Sequence, residues 1–201
     1  HLVGLVAALD RYRVGAAMDN GGRAESEAFL AYQRLIEQKG IRHWQAQAGQ
    51  RVDLGGGARL EVLHPGSGHE EDINNSSVVL RLSLGQVAFL LTGDLEEEGE
   101  MALLQGGRPL KATVLKVPHH GSATSSSPPF LAAVRPALAV ISAGRENSYG
   151  HPAPLTLQRL EAAREFVLRT DRQGTIEIST DGRRLWVRSR QPLCQRTPGC
   201  R

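Results

Sequence analysis

"TVLKVPHHGSATSSSPPF" occupies residues 113–130, and its reading decides the fold. A short apolar run suited to a buried strand stops at a proline, two adjacent histidines, a glycine and a row of hydroxyls. A packed core gains nothing from a histidine pair, so His119 and His120 are expected to meet something polar. The same grammar appears on either side. "VAFLLTGD" (87–94) is an apolar strand that ends at Asp94, and "ALAVISAGRENSYGHP" (137–152) is a strand followed by a polar loop carrying His151. In a layered α/β domain, residues just beyond strand ends gather at one edge of the sheet, where sites are built. Asp94, His119, His120 and His151 are therefore candidate ligands of a zinc, manganese or iron centre. Gly93 and Gly121 would let the backbone crowd around it.

Each residue also has a plainer reading. Asp94 ahead of "LEEEGEMALL" suits a turn or a helix N-cap. His151 before Pro152 suits a surface loop. In extended chain His119 and His120 point to opposite sides, so only one faces a metal unless the chain turns there. His64, at the end of a strand, ranks below His151 as a site residue, and His43 and His69 read as solvated. "SATSSS" (122–127) offers hydroxyls to a phosphate or simply forms a loop before Pro128-Pro129. The run Glu96–Glu98 suits the first turn of a helix, where acids complement the dipole.

Working outward, Leu2, Leu5, Val6 and Leu9 lie at helical spacing, and "VGAAM" (14–18) reads as a short strand. Residues 25–40 form an amphipathic helix that stops at Gly40. Strands are expected at 41–46, 59–63, 78–84 and 87–91, with "DLGGGARL" (53–60) and "HPGSGHEEDINNSS" (64–77) as turn and loop material. Beyond Asp94 come a short acidic helix, strand 113–117, a helix near 128–134, strand 137–142, a helix over 154–163 and three closing strands. The expectation is one α/β domain over 1–190 with a tail at 191–201.

Composition sets bounds. With 201 residues, 40% hydrophobic and 22% charged, the chain suits an ordinary globular core. Aromatics at 4% leave that core to Leu, Val, Ile and Ala and argue weakly against single-strand stacking platforms. A net charge of +3 is compatible with an anionic partner without indicating one. No run of about 18 apolar residues is present. Cys194 and Cys200, in the tail, suit two free thiols or one local disulfide and exclude a thiolate metal centre.

"SSVVLRLSLGQVAFLLTGD", "LKVPHHGSATSSSP" and "PALAVISAGRENSYGHPAP", in this order, resemble the C-terminal domain of ComEC-type DNA-uptake (competence) proteins, a metallo-β-lactamase-like hydrolase domain. The resemblance runs from about Asn74 to Ile178. It implies an αββα sandwich with divalent metal, manganese or zinc and up to two ions, between the sheets. It implies that Asp94 bridges the ions, that His151 is a late-chain ligand, and that His119 and His120 are at the active centre. Ser122, Thr124 and Arg145 would contact phosphate. The implied function is a nuclease that degrades one DNA strand while the other passes a channel in the rest of a longer, membrane-attached protein, on the outer side of the bacterial cytoplasmic membrane. The implied partners are DNA and that remainder, with no small organic cofactor.

The chain departs from the pattern at its start. The family's early strands and its H-x-D-x-D-H loop are not found, and His1 is either the last histidine of that loop or foreign to it. Asn74 and Asn75 stand where related hydrolases put a further histidine. The chain is thus expected to be N-terminally truncated and to bind divalent metal weakly or not at all. Two rivals remain: a small-phosphodiester or ester hydrolase of the same fold, and a catalytically inactive binding module.

Overall fold

The computed structural model describes residues 2–65 and 72–192. His1, His69, Cys194 and Cys200 lie outside the described residues. Where the sequence suggests one domain over 1–190, the chain forms two compact units, His1–Gln47 and Ala48–Arg201.

The first unit runs α1 (Leu2–Arg11), β1 (Ala16–Asp19), α2 (Glu27–Gln38), β2 (Arg42–Gln45), with β1 and β2 paired in parallel. Leu9, Tyr32 and Ile41 are buried at its centre, packed against Val6, Phe29 and Ile36. Ser26 caps α2, its Oγ accepting from the Phe29 N–H at 3.3 Å. Lys39 Nζ donates to the Leu9 and Asp10 carbonyls at 2.7 and 2.6 Å, satisfying groups that the C-terminus of α1 leaves open. His43 is paired rather than simply solvated. Its Nε2 lies 2.7 Å from Asp19 Oδ2, which also accepts the Tyr32 hydroxyl at 2.9 Å. Burial, with Asp19 beside it, pushes the Tyr32 phenol well above its usual range.

The second unit is built on a seven-stranded mixed sheet in sequential order: β3 (Arg51–Gly55), β4 (Ala58–His64), β5 (Val79–Leu84), β6 (Val87–Leu91), β7 (Val114–Lys116), β8 (Leu138–Ile141) and β9 (Phe166–Arg169). Pairing is antiparallel from β3 to β6 and parallel from β6 to β9. Strand β3 is a correction to the reading of 53–60 as turn material alone. Arg51–Gly55 pairs with β4 across the glycine turn, so only Gly55–Gly57 reverses the chain. Between the parallel strands run α3 (Glu97–Gln105), α4 (Pro128–Val134) and α5 (Pro154–Ala162). A one-turn helix, α6 (Thr170–Gln173), leads to an antiparallel pair, β10 (Ile176–Thr180) and β11 (Leu185–Ser189).

Alternation along the parallel strands sorts side chains onto two faces. Ala88, Leu90, Leu115, Ala139 and Ile141 join a core with Leu95, Leu103, Phe130, Leu131 and Leu160 from the helices and their entries. Phe89, Val114, Leu138, Val140 and Leu168 face Ile176, Ile178, Leu185 and Val187 of the β10–β11 pair. Helices cover one face and a second, smaller sheet the other. Fully buried Leu90 and Leu115 each contribute about 1.5–3 kcal/mol by leaving water.

One polar element is locked into this core. Glu100, in α3, is fully buried and accepts the N–H groups of Ser126 and Ser127 at 2.5 and 2.9 Å. It fastens the "SATSSS" segment to the helix. Burial pushes its carboxyl above the usual range, while those two hydrogen bonds oppose the shift.

Candidate active site

The parallel register sets where the polar residues land. Leu91 aligns with Lys116, Lys116 with Val140, and Ile141 with Arg169, so β6 to β9 end at one edge. The residues after β6, β7 and β8 are therefore neighbours in space. Asp94, His119, His120 and His151 meet there. Ring centroids are 6.3 Å apart for His119 and His120, 5.6 Å for His119 and His151, and 6.5 Å for His120 and His151. His120 Nε2 lies 3.5 Å from Asp94 Oδ1.

The adjacent histidines share one site because the chain does turn between strand and loop. Pro118–Gly121 form a single tight turn in which His119 and His120 have φ of 45° and 55°. Left-handed backbone costs about 1–2 kcal/mol per non-glycine residue. Here it is held by the His119 N–H donating to the Gly93 carbonyl at 3.2 Å and the Ser122 N–H donating to the His119 carbonyl at 2.8 Å. Two glycines make the approach feasible. Gly93 has φ +56° and a Cβ there would sit 2.9 Å from Ser77 Cβ; Gly121 has φ +81° and a Cβ would sit 2.7 Å from Pro152 Cβ.

Each of these histidines has a polar neighbour, though among the described residues only the His120 ring is hydrogen-bonded to one. His120 Nδ1 lies 2.7 Å from the Ser142 carbonyl, which can only accept, so Nδ1 carries a proton and Nε2 is the nitrogen turned toward Asp94. His119 Nδ1 lies 3.0 Å from Glu96 Oε1. His151 is set by Asn147, whose Oδ1 accepts the His151 N–H at 2.9 Å while its Nδ2 donates to the Gly144 and His151 carbonyls at 2.8 and 2.7 Å. His151 Nδ1 is buried with no hydrogen-bond partner. Burial first, then the His119 and His120 rings, push the His151 imidazole below its usual range, and Asp94 opposes this. A neutral imidazole with an unsatisfied nitrogen suits a cation.

Asp94 is anchored through its backbone, its N–H donating to Ser77 Oγ at 3.1 Å. His64 reaches the same point from β4, its Nδ1 donating to the Ser77 carbonyl at 3.0 Å. Lys116 Nζ donates to the Gly93 and Val117 carbonyls at 3.0 and 3.2 Å, tying the ends of β6 and β7 together. Burial pushes its ammonium below the usual range, and Asp94 partly restores it.

The substrate candidates are arranged differently from the ligand candidates. Ser122 is buried and its hydroxyl is shared with Thr124 Oγ1 at 2.9 Å. Ser125 Oγ donates to the Leu95 carbonyl at 2.8 Å, and Ser125, Ser126 and Ser127 are all buried. Most of the hydroxyl row thus faces inward; Thr124 and Arg145 are exposed. Asn75 takes a structural position. Its Oδ1 accepts the N–H groups of Glu96 and Gly99 at 3.1 and 2.9 Å, capping α3 from outside the helix.

Glu96, Asn147 and Tyr149 are site residues that sequence reasoning passed over. The signal for Asn147 was its place four residues before His151 in a glycine-containing loop, where an amide can bridge the loop's ends. Glu96 looked like any acid in a first helical turn. Among the described residues, no set of three or more His, Asp, Glu or Cys donors is gathered tightly enough to hold an ion. The chemistry of His120, His151 and Asp94 fits part of a divalent-metal shell, with His120 Nε2 and Asp94 Oδ1 already 3.5 Å apart.

No protein-family model matches the chain. The chain is 44% identical over 119 residues to ComE operon protein 3 of Bacillus subtilis, a match covering 59% of this chain. It is 42% identical over 123 residues to competence protein ComA of Neisseria gonorrhoeae, covering 61% of this chain. It is 33% identical over 138 residues to recombination protein 2 of Haemophilus influenzae, covering 68%. The matches span 15%, 18% and 16% of those relatives' own lengths. No described helix is long and apolar enough to cross a membrane. The chain is an α/β protein similar to one part of proteins named for competence and recombination.

Proposed function

We propose that this chain carries the hydrolytic site of a DNA-uptake competence protein, a metal-dependent nuclease that cleaves one DNA strand during transformation. The observation that carries this reading is the convergence of Asp94, His119, His120 and His151 at the carboxyl edge of β6, β7 and β8, with His120 Nε2 held toward Asp94. The layering of helices, seven-stranded sheet and β10–β11 supports a metallo-β-lactamase-like sandwich, and the similarity to competence proteins supports the biological setting.

In this reading divalent manganese or zinc, one ion or two, would be held in part by the Asp94 carboxylate and by ring nitrogens of His120 and His151. The metal supplies a Lewis acid that acidifies water and neutralises phosphate charge. The protein's own residues do the rest. Asp94 would hold the cation at the end of β6, where its own N–H is anchored to Ser77 Oγ. His119, with Glu96 Oε1 3.0 Å from its Nδ1, is the ring placed to act as general base toward the attacking water. Asn147 keeps His151 in place, and exposed Arg145 is available to pair with a phosphate in the bidentate way a lysine cannot. The longer protein supplies a membrane channel and anchors the domain to the bacterial membrane.

The test is cleavage of single- and double-stranded DNA, with manganese, zinc or magnesium, by a chain extended upstream to include an H-x-D-x-D-H loop. Cleavage is expected without strong sequence preference and should weaken as salt rises, because phosphate contacts carry the binding. Asp94→Ala should abolish cleavage while the circular dichroism spectrum is retained. A folded, metal-loaded protein that cleaves neither DNA would refute the nuclease and leave a small-phosphodiester hydrolase or a binding module.

A further inference from the structure

The site has an aromatic wall that the chemistry above does not use. Tyr149 is 82% exposed, yet its ring is not adrift: it lies 5.9 Å from the His151 ring at an interplanar angle of 13°. That is the offset-parallel arrangement aromatic rings favour. The loop presenting it is closed by the three Asn147 hydrogen bonds, so the ring is mounted on a braced segment. Its plane runs nearly parallel to that of His151, and most of the residue remains open to solvent. Tyr149 also lines a cleft of about 280 Å³, together with His120, Ser142, Ala143, Gly144 and Asn147. The cleft is smaller than the 300–1,000 Å³ or so that houses drug-sized ligands, and suits a single flat ring system.

Resting on the hydrolytic reading above, we infer that Tyr149 is a stacking platform for one nucleobase next to the scissile phosphate, which makes unpaired nucleic acid the preferred substrate. The placement supplies the reason. A phosphate at the histidine cluster leaves its neighbouring nucleoside beside the cleft, because His120 and His151 belong to both. A base continuing the His151–Tyr149 stack gains a π-face without needing a particular hydrogen-bond pattern, so the site tolerates any sequence. A duplex can offer its base there only by breaking a pair and a stack. The scarcity of aromatics in the chain is therefore no obstacle: one correctly placed ring serves.

The experiment is fluorescence anisotropy with the 201-residue chain in EDTA, where binding is read without cleavage. The probes are a labelled thymidine oligomer of about 10 nucleotides and an abasic phosphodiester of the same length. Wild type is expected to bind the thymidine oligomer about 10-fold more tightly than the abasic one. Tyr149→Phe should retain that preference, and Tyr149→Ala should lose it while its abasic affinity stays near wild type. A preference that survives Tyr149→Ala overturns the assignment, as does a wild-type chain that binds both probes equally or neither. If the extended chain still cleaves DNA in that event, only the Tyr149 platform falls. If base preference holds but Asp94→Ala cleaves like wild type, the hydrolytic reading falls instead.

Discussion

Replacing Asn75 with alanine should cost the second unit about 2–4 kcal/mol, and the structure says where that energy goes. Glu96, the residue at the N-cap position of α3, makes no side-chain cap, so the helix depends on Asn75 reaching in from another segment. Alanine deletes the acceptor shared by the Glu96 and Gly99 N–H groups and the Nδ2 donor that reaches Asp72 Oδ2 at 2.6 Å. The Gly99 N–H is buried, so its orphaning incurs a full desolvation penalty of about 1–3 kcal/mol. The Glu96 and Asp72 groups are partly buried and recover some hydration, adding about 1 kcal/mol between them. Asn75→Asp keeps the acceptor and places a negative charge at a helix N-terminus, but sets a second carboxylate against Asp72, so it should fall between wild type and alanine. Urea titration at constant m-value reads the difference, and amide hydrogen exchange should show the Gly99 N–H losing protection first. An Asn75→Ala stability within about 0.5 kcal/mol of wild type, the scatter of ordinary surface changes, would refute this account of the cap.

Two other changes test the frame around the site. Glu165 has both carboxylate oxygens buried without hydrogen-bond partners, and burial pushes its carboxyl up to about 7. A raised pKa means that the folded state binds the proton more tightly. The associated stability is therefore fully present below about pH 4.5, declines as pH rises, and is gone above about pH 7. After allowance for nearby solvent this is about 1–2 kcal/mol. Thermal denaturation against pH should show Glu165→Gln flattening that slope; an unchanged slope would place the titration elsewhere. Gly121→Ala would force a Cβ to 2.7 Å from Pro152 Cβ at φ +81°. It should destabilise by about 2 kcal/mol and move His120 and His151 together, seen as coupled shifts of their imidazole NMR signals. Shifts in neither ring would show that the turn tolerates the methyl group.

The order of elements was legible in the sequence because it rests on local patterns. Five-residue apolar runs such as "VAFLL" and the helical spacing of Phe29, Tyr32 and Ile36 act within a few residues, where periodicity reports the buried face. The glycine turn at 55–57 was legible too, but its flanking strand was not, since Arg51–Gly55 is a polar edge whose only argument for being extended is its pairing with β4. The residue types at the strand ends, Asp94, His119, His120 and His151, likewise announced polar business without tertiary information.

What the tertiary structure decided was how those residues face one another. Strand register across β6, β7 and β8, a long-range property, brings segments separated by dozens of residues to one edge. The left-handed turn at His119 and His120 turns two rings that alternate in an extended strand toward one site, and no local propensity favours that backbone for histidine pairs. Glu96, Asn75 and Glu100 read alike as polar residues near a helix start. Only packing makes the first a neighbour of His119, the second a remote cap, and the third a buried clasp on the serine loop. Sequence determines which groups are available, because chemistry belongs to the residue. Orientation and hydration belong to the folded surroundings, and these assign each group its task.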